Sequence, residues 1–135
     1  MGQQQLLLII LGVIVVGIAV AVGITMFSDN AVSANKDAVT NDLVNLASRA
    51  QQYYRRPLAL GGGQGSFVGL EASAAGLAKL TSKATNSNGT YAITGAGTAT
   101  SVTLHGTGTE KGTTGALLSI TMQVFSDSTY VTFDN

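Results

Sequence analysis

His105 is the only histidine in this 135-residue chain, so it is the first candidate for catalysis. A histidine acts as a general base when a carboxylate orients it and a nucleophile lies beside it. Its sequence neighbours, Leu104 and Gly106, supply neither group. The seven carboxylates are scattered, without the spacing of metal ligands, at Asp29, Asp37, Asp42, Glu71, Glu110, Asp127 and Asp134. The sequence therefore predicts no catalytic site, no metal site and no cofactor, and we expect a protein that is not an enzyme.

Two short motifs remain to be weighed. Asn88-Gly89-Thr90 matches the acceptor pattern for N-glycosylation, so Asn88 is a candidate glycosylation site in a cell that has this machinery. The stretch from Gly61 to Gly65 is rich in glycine, but it lacks the Lys-Ser/Thr of a phosphate-binding loop and the flanking strand and helix. We interpret it as a flexible connection.

Charge and cysteine content exclude further classes of protein. The formal net charge is zero and only 10% of residues are charged, so no basic surface is available to neutralise nucleic-acid phosphates. There is no cysteine, which excludes disulfides and thiolate metal sites. We expect no nucleic-acid partner.

The dominant element of the sequence is the uncharged run from Leu6 to Phe27. In a helix, its roughly 22 residues rise about 33 Å, enough to cross the ~30 Å hydrocarbon core of a bilayer. Within it, Gly17/Ala21 and Ala19/Gly23 are pairs of small residues four apart, which let helix backbones approach closely. The sequence therefore predicts that residues 1–27 form a transmembrane or filament-core helix. The predicted packing residues are Leu6, Leu7, Ile10, Leu11, Gly12, Val13, Gly17, Ala21, Gly23, Ile24 and Phe27.

The flanks of this run bear on processing and orientation. The first basic residue is Lys36, so charge alone would place the C-terminal part in the cytoplasm. Removal of a basic leader before Met1 would resolve that conflict. Val32-Ser33-Ala34 resembles a signal-peptidase site, but the run is longer than a signal core and has no basic start. We expect the apolar run to stay in the protein.

The next segment, residues 28–56, is predicted to continue the same helix with one apolar face. From Val39 the apolar residues recur in steps of four, three, four and three, as on one side of a helix. Arg55 and Arg56 followed by Pro57 predict its end. The residues predicted to pack on a sheet are Val39, Leu43, Leu46 and Tyr53.

Residues 57–135 are rich in glycine and threonine and are predicted to form a small β domain. A short helix is expected near Ala72–Leu80, with Leu70, Leu77 and Leu80 facing inward. Four strands follow from the period-two pattern, at Tyr91–Thr94, Ser101–Leu104, Leu117–Phe125 and Thr129–Phe133. Gly106–Gly115 has no apolar residue and is expected to be an exposed loop. The predicted class is α+β, with the long helix packed against a four-stranded antiparallel sheet.

A long helix that is apolar and then amphipathic, followed by a loop and such a sheet, resembles a type IV pilin. The resemblance implies that a leader is cut off after a glycine and that the apolar half sits in the cytoplasmic membrane until pilus assembly machinery extracts it. It further implies a helical homopolymer on the cell surface, with the helices in its centre and the sheet domains outside. The subunit would need no cofactor.

This chain departs from the usual bacterial pattern. The fifth residue is Gln5, or Leu7 counted from a cleavage after Gly2, where those pilins have a glutamate. The C-terminal cysteine pair is missing, and Val22 stands where a proline is common. The glycines from Gly17 to Gly23 are instead the place where the helix would stretch most easily. Two alternatives remain open, a minor pseudopilin of a secretion system and a single-span anchor for a binding module; a membrane-tethered enzyme is the third and least supported.

Overall fold

One long helix organises the structure. The computed structural model describes residues 2–135, and Met1, where the predicted apolar segment begins, lies outside them. Helix α1 comprises the 54 residues Gly2–Arg55, about 81 Å at 1.5 Å per residue. The apolar and the amphipathic segments are thus one element, and the helix continues through Gly17 and Gly23. It ends one residue before the predicted Arg56, where Pro57 turns the chain away.

The connection from the helix to the sheet contains little regular secondary structure. A 3-10 turn at Leu58–Leu60 is followed by helix α2, Ala74–Ala78. Helix α2 begins later than predicted, because Ser73 caps its N-terminus and accepts a hydrogen bond from the Gly76 amide at 3.2 Å, and it also ends before the predicted Leu80. Leu70, Leu77 and Leu80 are buried.

A four-stranded antiparallel sheet completes the fold, as predicted. Its strands follow sequence order, β1-β2-β3-β4. They are β1 Gly89–Gly95, β2 Ser101–Lys111, β3 Leu117–Phe125 and β4 Thr129–Phe133. In β3, Leu118, Ile120, Met122 and Val124 face inward and are at most 1% exposed.

The expected exposed loop at Gly106–Gly115 is wrong for its first half, because β2 continues to Lys111. Gly106 and Gly108 are buried and face α1, while Thr107 lies on the other side of the sheet. A Cβ on Gly106 would lie 2.8 Å from Val39 Cγ1 and 3.2 Å from Leu43 Cδ1. The inward residues are therefore glycines because the helix lies too close for a side chain. Buried and exposed residues still alternate along this part of β2, although the buried ones are not apolar side chains.

The core lies between the second half of α1 and the inner face of the sheet. Val39 and Leu43 are fully buried, and Leu46 and Tyr53 retain 6% and 8% exposure. Polar side chains on the flanks of this stripe fasten the helix to the domain. Asn35 Nδ2 donates to the Asn88 carbonyl at 2.8 Å, while its Oδ1 accepts from the Thr109 amide at 3.0 Å. Gln51 Nε2 donates to the Phe125 carbonyl at 3.1 Å.

Candidate functional site

The most conspicuous surface of the molecule is the N-terminal half of α1, which has no partner within the described chain. Every large apolar side chain from Leu6 to Phe27 is exposed, from 50% at Val22 to 78% at Phe27. The most apolar part of α1 is long enough and apolar enough to cross a membrane, and no part of it is buried. Soluble monomers rarely expose contiguous apolar patches larger than a few hundred Å². By length and composition, this half of the helix is therefore a candidate membrane-spanning segment.

The apolar surface surrounds the helix on all sides. Successive residues are about 100° apart around a helix, so the four residues Leu6 to Ile9 already point in four directions. All four are at least 60% exposed. A partner that covered one face would leave the others in water. Only an environment that encloses the helix would remove the whole apolar surface from water.

The small residues of this segment lie on two opposite faces. By the same angle, Gly12, Ala19 and Gly23 fall within about 40° of one another, and Gly17 and Ala21 lie on the far side of the helix. A Cβ built at Gly12, Gly17 or Gly23 would have nothing within 4 Å, so the backbone is open at these positions. Two such faces let one helix make close contacts with two neighbours.

The predicted packing residues are thus all at the surface, and the structure buries none of them within one chain. They are Leu6, Leu7, Ile10, Leu11, Gly12, Val13, Gly17, Ala21, Gly23, Ile24 and Phe27.

A polar cluster centred on Asp42 was not predicted from the sequence. Asp42 Oδ2 accepts hydrogen bonds from Tyr91 Oη at 2.6 Å, Asn86 Nδ2 at 2.8 Å and Asn88 Nδ2 at 2.9 Å. The only sequence signal is that Asp42 precedes the buried Leu43, on the flank of the apolar stripe. Asn88, the candidate glycosylation site, is half-buried here, with its side chain on the helix rather than free in solvent.

The cluster shifts the pKa values of two of its groups. Burial alone would raise the pKa of Asp42, but the hydrogen bonds from Tyr91, Asn88 and Asn86 together hold it below its ordinary value of 3.8. Burial, followed by the bond to the Asp42 carboxylate and its charge, raises the pKa of the Tyr91 phenol well above its ordinary value. At neutral pH Asp42 is charged and Tyr91 is a donor, so the cluster joins α1 to β1.

Asp42→Asn is expected to reduce the stability of the domain at neutral pH and to make that stability depend less on pH in the acid range. The folded pKa of Asp42 is depressed, so its contribution is present above pH 3.8 and is lost as the pH falls through the folded value. We expect a loss of about 1–3 kcal/mol at pH 7, from weakened hydrogen bonds to a charged group. Urea unfolding of the full chain in detergent, followed by tyrosine fluorescence at neutral and acid pH, measures it. Asp37→Asn, an exposed position on the same helix, is the control; equal pH curves for wild type and Asp42→Asn would contradict the role.

His105 has polar partners that the sequence did not reveal. Its Nε2 lies 2.8 Å from Ser119 Oγ, which donates to Asp134 Oδ2 at 3.2 Å. Thr121 Oγ1 donates to the same oxygen at 2.9 Å. The alternation of residues along β2 and β3 places His105, Ser119 and Thr121 on the same outer face of the sheet. Which of them are neighbours depends on how the two strands are aligned, and the structure pairs His105 with Thr121.

This arrangement is not that of a catalytic triad. A triad places the histidine between the acid and the hydroxyl, so that the histidine accepts the hydroxyl proton. Here the serine lies in the middle, and the carboxylate of Asp134 contacts the serine and the threonine rather than the histidine. These side chains crosslink the outer face of the sheet. Among residues 2–135, no three histidine, cysteine or carboxylate side chains come together as a metal site.

Comparisons with known proteins identify no relative of this chain. No family model, no curated protein and no solved structure matches the chain.

Proposed function

We propose that this chain is a structural subunit resembling a type IV pilin, which polymerises into an extracellular filament through the apolar half of α1. Before assembly the same half of the helix lies in the cytoplasmic membrane. The observation that carries the proposal is the exposure of Leu6–Phe27 on all sides of a helix that continues without a break into the core of the domain.

Energetics support enclosure of this helix in either setting. Burying a large apolar side chain contributes about 1.5–3 kcal/mol, so a segment of this size contributes tens of kcal/mol when it leaves water. A bilayer and a bundle of like helices both supply that burial. A subunit can therefore move from lipid to filament without exposing the segment to water for long, and no covalent link is needed to hold the fibre.

The two faces of small residues favour a polymer over a closed pair. A symmetric dimer uses the same patch on both chains, whereas a contact between two different patches repeats and can extend into a helical fibre. Gly12, Ala19 and Gly23 on one face, against Gly17 and Ala21 on the other, supply two different patches on one helix. The rigid continuation into the domain would then carry each sheet outward from the bundle.

Microscopy of the cell surface tests the proposal. Material sheared from cells is expected to contain thin fibres built from this chain as the major component. If the chain occurs only as a membrane-bound monomer, a single-span anchor for a binding module is the better description. If fibres form but contain this chain as a trace component, it is a minor pseudopilin.

Gly17→Leu is expected to reduce the fibre yield at least about tenfold while membrane insertion is retained. The added side chain separates the helices at a close contact, and a loss of ~1.4 kcal/mol already lowers an association constant tenfold. Leucine is more apolar than glycine, so lipid tolerates it. Val16→Leu is the matched control, because it places the same side chain at the preceding residue without removing a glycine. The amount of chain in the sheared and membrane fractions is measured; unchanged fibres from Gly17→Leu would refute close packing at this face.

A further inference from the structure

A cleft lined by both polar and apolar atoms lies where α1 leaves its apolar segment. It has a volume of about 360 Å³ and lies between the helix and the β2–β3 connection. Its lining residues are Ser28, Asp29, Val32, Ser33, Lys36, Lys111, Gly112 and Thr113.

The position of the cleft matches the headgroup layer of a bilayer. The hydrocarbon core is ~30 Å thick and the whole bilayer ~40–45 Å, which leaves roughly 5–8 Å for the headgroups on each side. With Phe27 at the edge of the core, Ser28 to Ser33 lie about 1.5–9 Å beyond it along the helix. Side chains on a helix lean toward its N-terminus, so Lys36 reaches back toward this layer.

Regular structure places both lysines at the cleft. Lys36 lies on α1 and lines the cleft, and its Nζ lies 3.9 Å from the centroid of the Phe133 ring at the end of β4. Lys111 is the last residue of β2 and pairs with Leu117. The turn after it is closed by a hydrogen bond from the Gly112 amide to the Ala116 carbonyl, at 2.8 Å.

The charges of the cleft favour an anionic ligand. The lining side chains carry two positive charges, on Lys36 and Lys111, and one negative charge, on Asp29, and the hydroxyls of Ser28, Ser33 and Thr113 are available to donate hydrogen bonds to a ligand. The chain has seven lysine and arginine residues. The other five lie toward the opposite end of the domain: Arg55 and Arg56 at the end of α1, and Lys79 and Lys83 in clefts that Arg49 also lines.

We propose that this cleft binds the phosphate of an anionic phospholipid headgroup while the subunit is in the membrane. The lysines bind the phosphodiester and the hydroxyls bind the polar group attached to it. The bound lipid fixes how deep the helix sits and must leave when the helix is extracted. This inference rests on the membrane stage of the proposed function.

The test uses the full chain reconstituted in nanodiscs of phosphatidylcholine with a minority of phosphatidylglycerol. Native mass spectrometry counts the lipids that stay bound after release from the disc. We expect phosphatidylglycerol to be retained in preference to phosphatidylcholine, and Lys36→Gln/Lys111→Gln to lower that preference at least about fivefold, since one lysine near an anionic surface contributes about that factor. Lys36→Arg/Lys111→Arg should keep it.

Controls separate lipid binding in this cleft from a general effect of net charge. Lys79→Gln/Lys83→Gln removes the same charge elsewhere and should leave the preference intact; an equal loss would overturn the proposal in favour of net charge. Equal retention of the two lipids would also overturn it, as would displacement of phosphatidylglycerol by inorganic phosphate, which would identify a site for free phosphate. Co-elution of chain and disc reports insertion separately, so failure of the membrane stage is distinguished from failure of lipid binding.

Discussion

Val13→Asp is expected to abolish fibre formation while the domain stays folded. Val13 is 68% exposed and lies far along α1 from the residues that pack on the sheet, so the domain loses no contact. A carboxylate near the centre of a membrane helix costs about 2.5–3.5 kcal/mol on the insertion scale. In a bundle of like helices every copy carries the charge, and like charges in an apolar interior cannot be paired with one another. The carboxylate therefore disfavours both filament assembly and the membrane-inserted state that precedes it.

The measurement pairs fibre counts with a test of the fold. Negative-stain microscopy of sheared surfaces reports fibres, and urea unfolding of the full chain in detergent, followed by tyrosine fluorescence, reports the domain. Val13→Ile is the control that keeps the position apolar and should form fibres at the wild-type level. Fibres from Val13→Asp would refute a helical core at this position. Loss of the domain's unfolding transition would show instead that α1 and the sheet are coupled along the whole helix.

The elements that the sequence predicted are those whose pattern is local. The steps of four and three from Val39 to Tyr53 define one helical face, and these residues are buried against the sheet. The alternation in Leu117–Phe125 gives the strand its two faces, and β3 has these bounds. Periodicity follows from backbone geometry alone, so it can be read without knowing what lies opposite.

The elements that it missed depend on contacts between distant parts of the chain. Asp42 meets Asn86, Asn88 and Tyr91, which are more than 40 residues away. His105 meets Ser119 and, through it, Asp134, because the register of β2, β3 and the chain end aligns them. Periodicity gives the face of a strand but not its register, so neither cluster could be found from spacing.

The extension of β2 was missed for a different reason. A strand is recognised by its buried apolar residues, and Gly106 and Gly108 have no side chain to mark the buried face. A Cβ on Gly108 would collide with Asn35 Oδ1, the atom that accepts from the amides of Thr109 and Glu110. Close approach of α1 therefore dictates the glycines, and a pattern based on hydrophobicity interprets them as a loop.

Gly106→Leu is accordingly expected to destabilise the domain by ~3 kcal/mol or more and to leave a large part of it unfolded. The first carbon of the new side chain would lie 2.8 Å from Val39 Cγ1 and 3.3 Å from Tyr91 Cδ1. The rest of the leucine has no space unless α1 lifts from the sheet, and overpacking of a tight core costs about 1–3 kcal/mol even for smaller insertions. Because domains of this size have only about 5–15 kcal/mol of stability, the folded fraction should fall sharply.

The matched control is Thr107→Leu, the next residue of the same strand, which faces away from α1. Both variants place the same side chain in β2, so a difference between them isolates the helix–sheet contact from strand propensity. Urea unfolding in detergent followed by tyrosine fluorescence should give a lower midpoint for Gly106→Leu alone, because Tyr53 and Tyr91 lie in the disturbed core. If both variants unfold at the same midpoint, α1 and β2 leave room for a side chain, and close approach of the helix does not dictate the glycines. If Gly106→Ala is folded, with a midpoint between those of the wild type and Gly106→Leu, the gap between α1 and β2 accommodates one carbon atom but not a larger side chain.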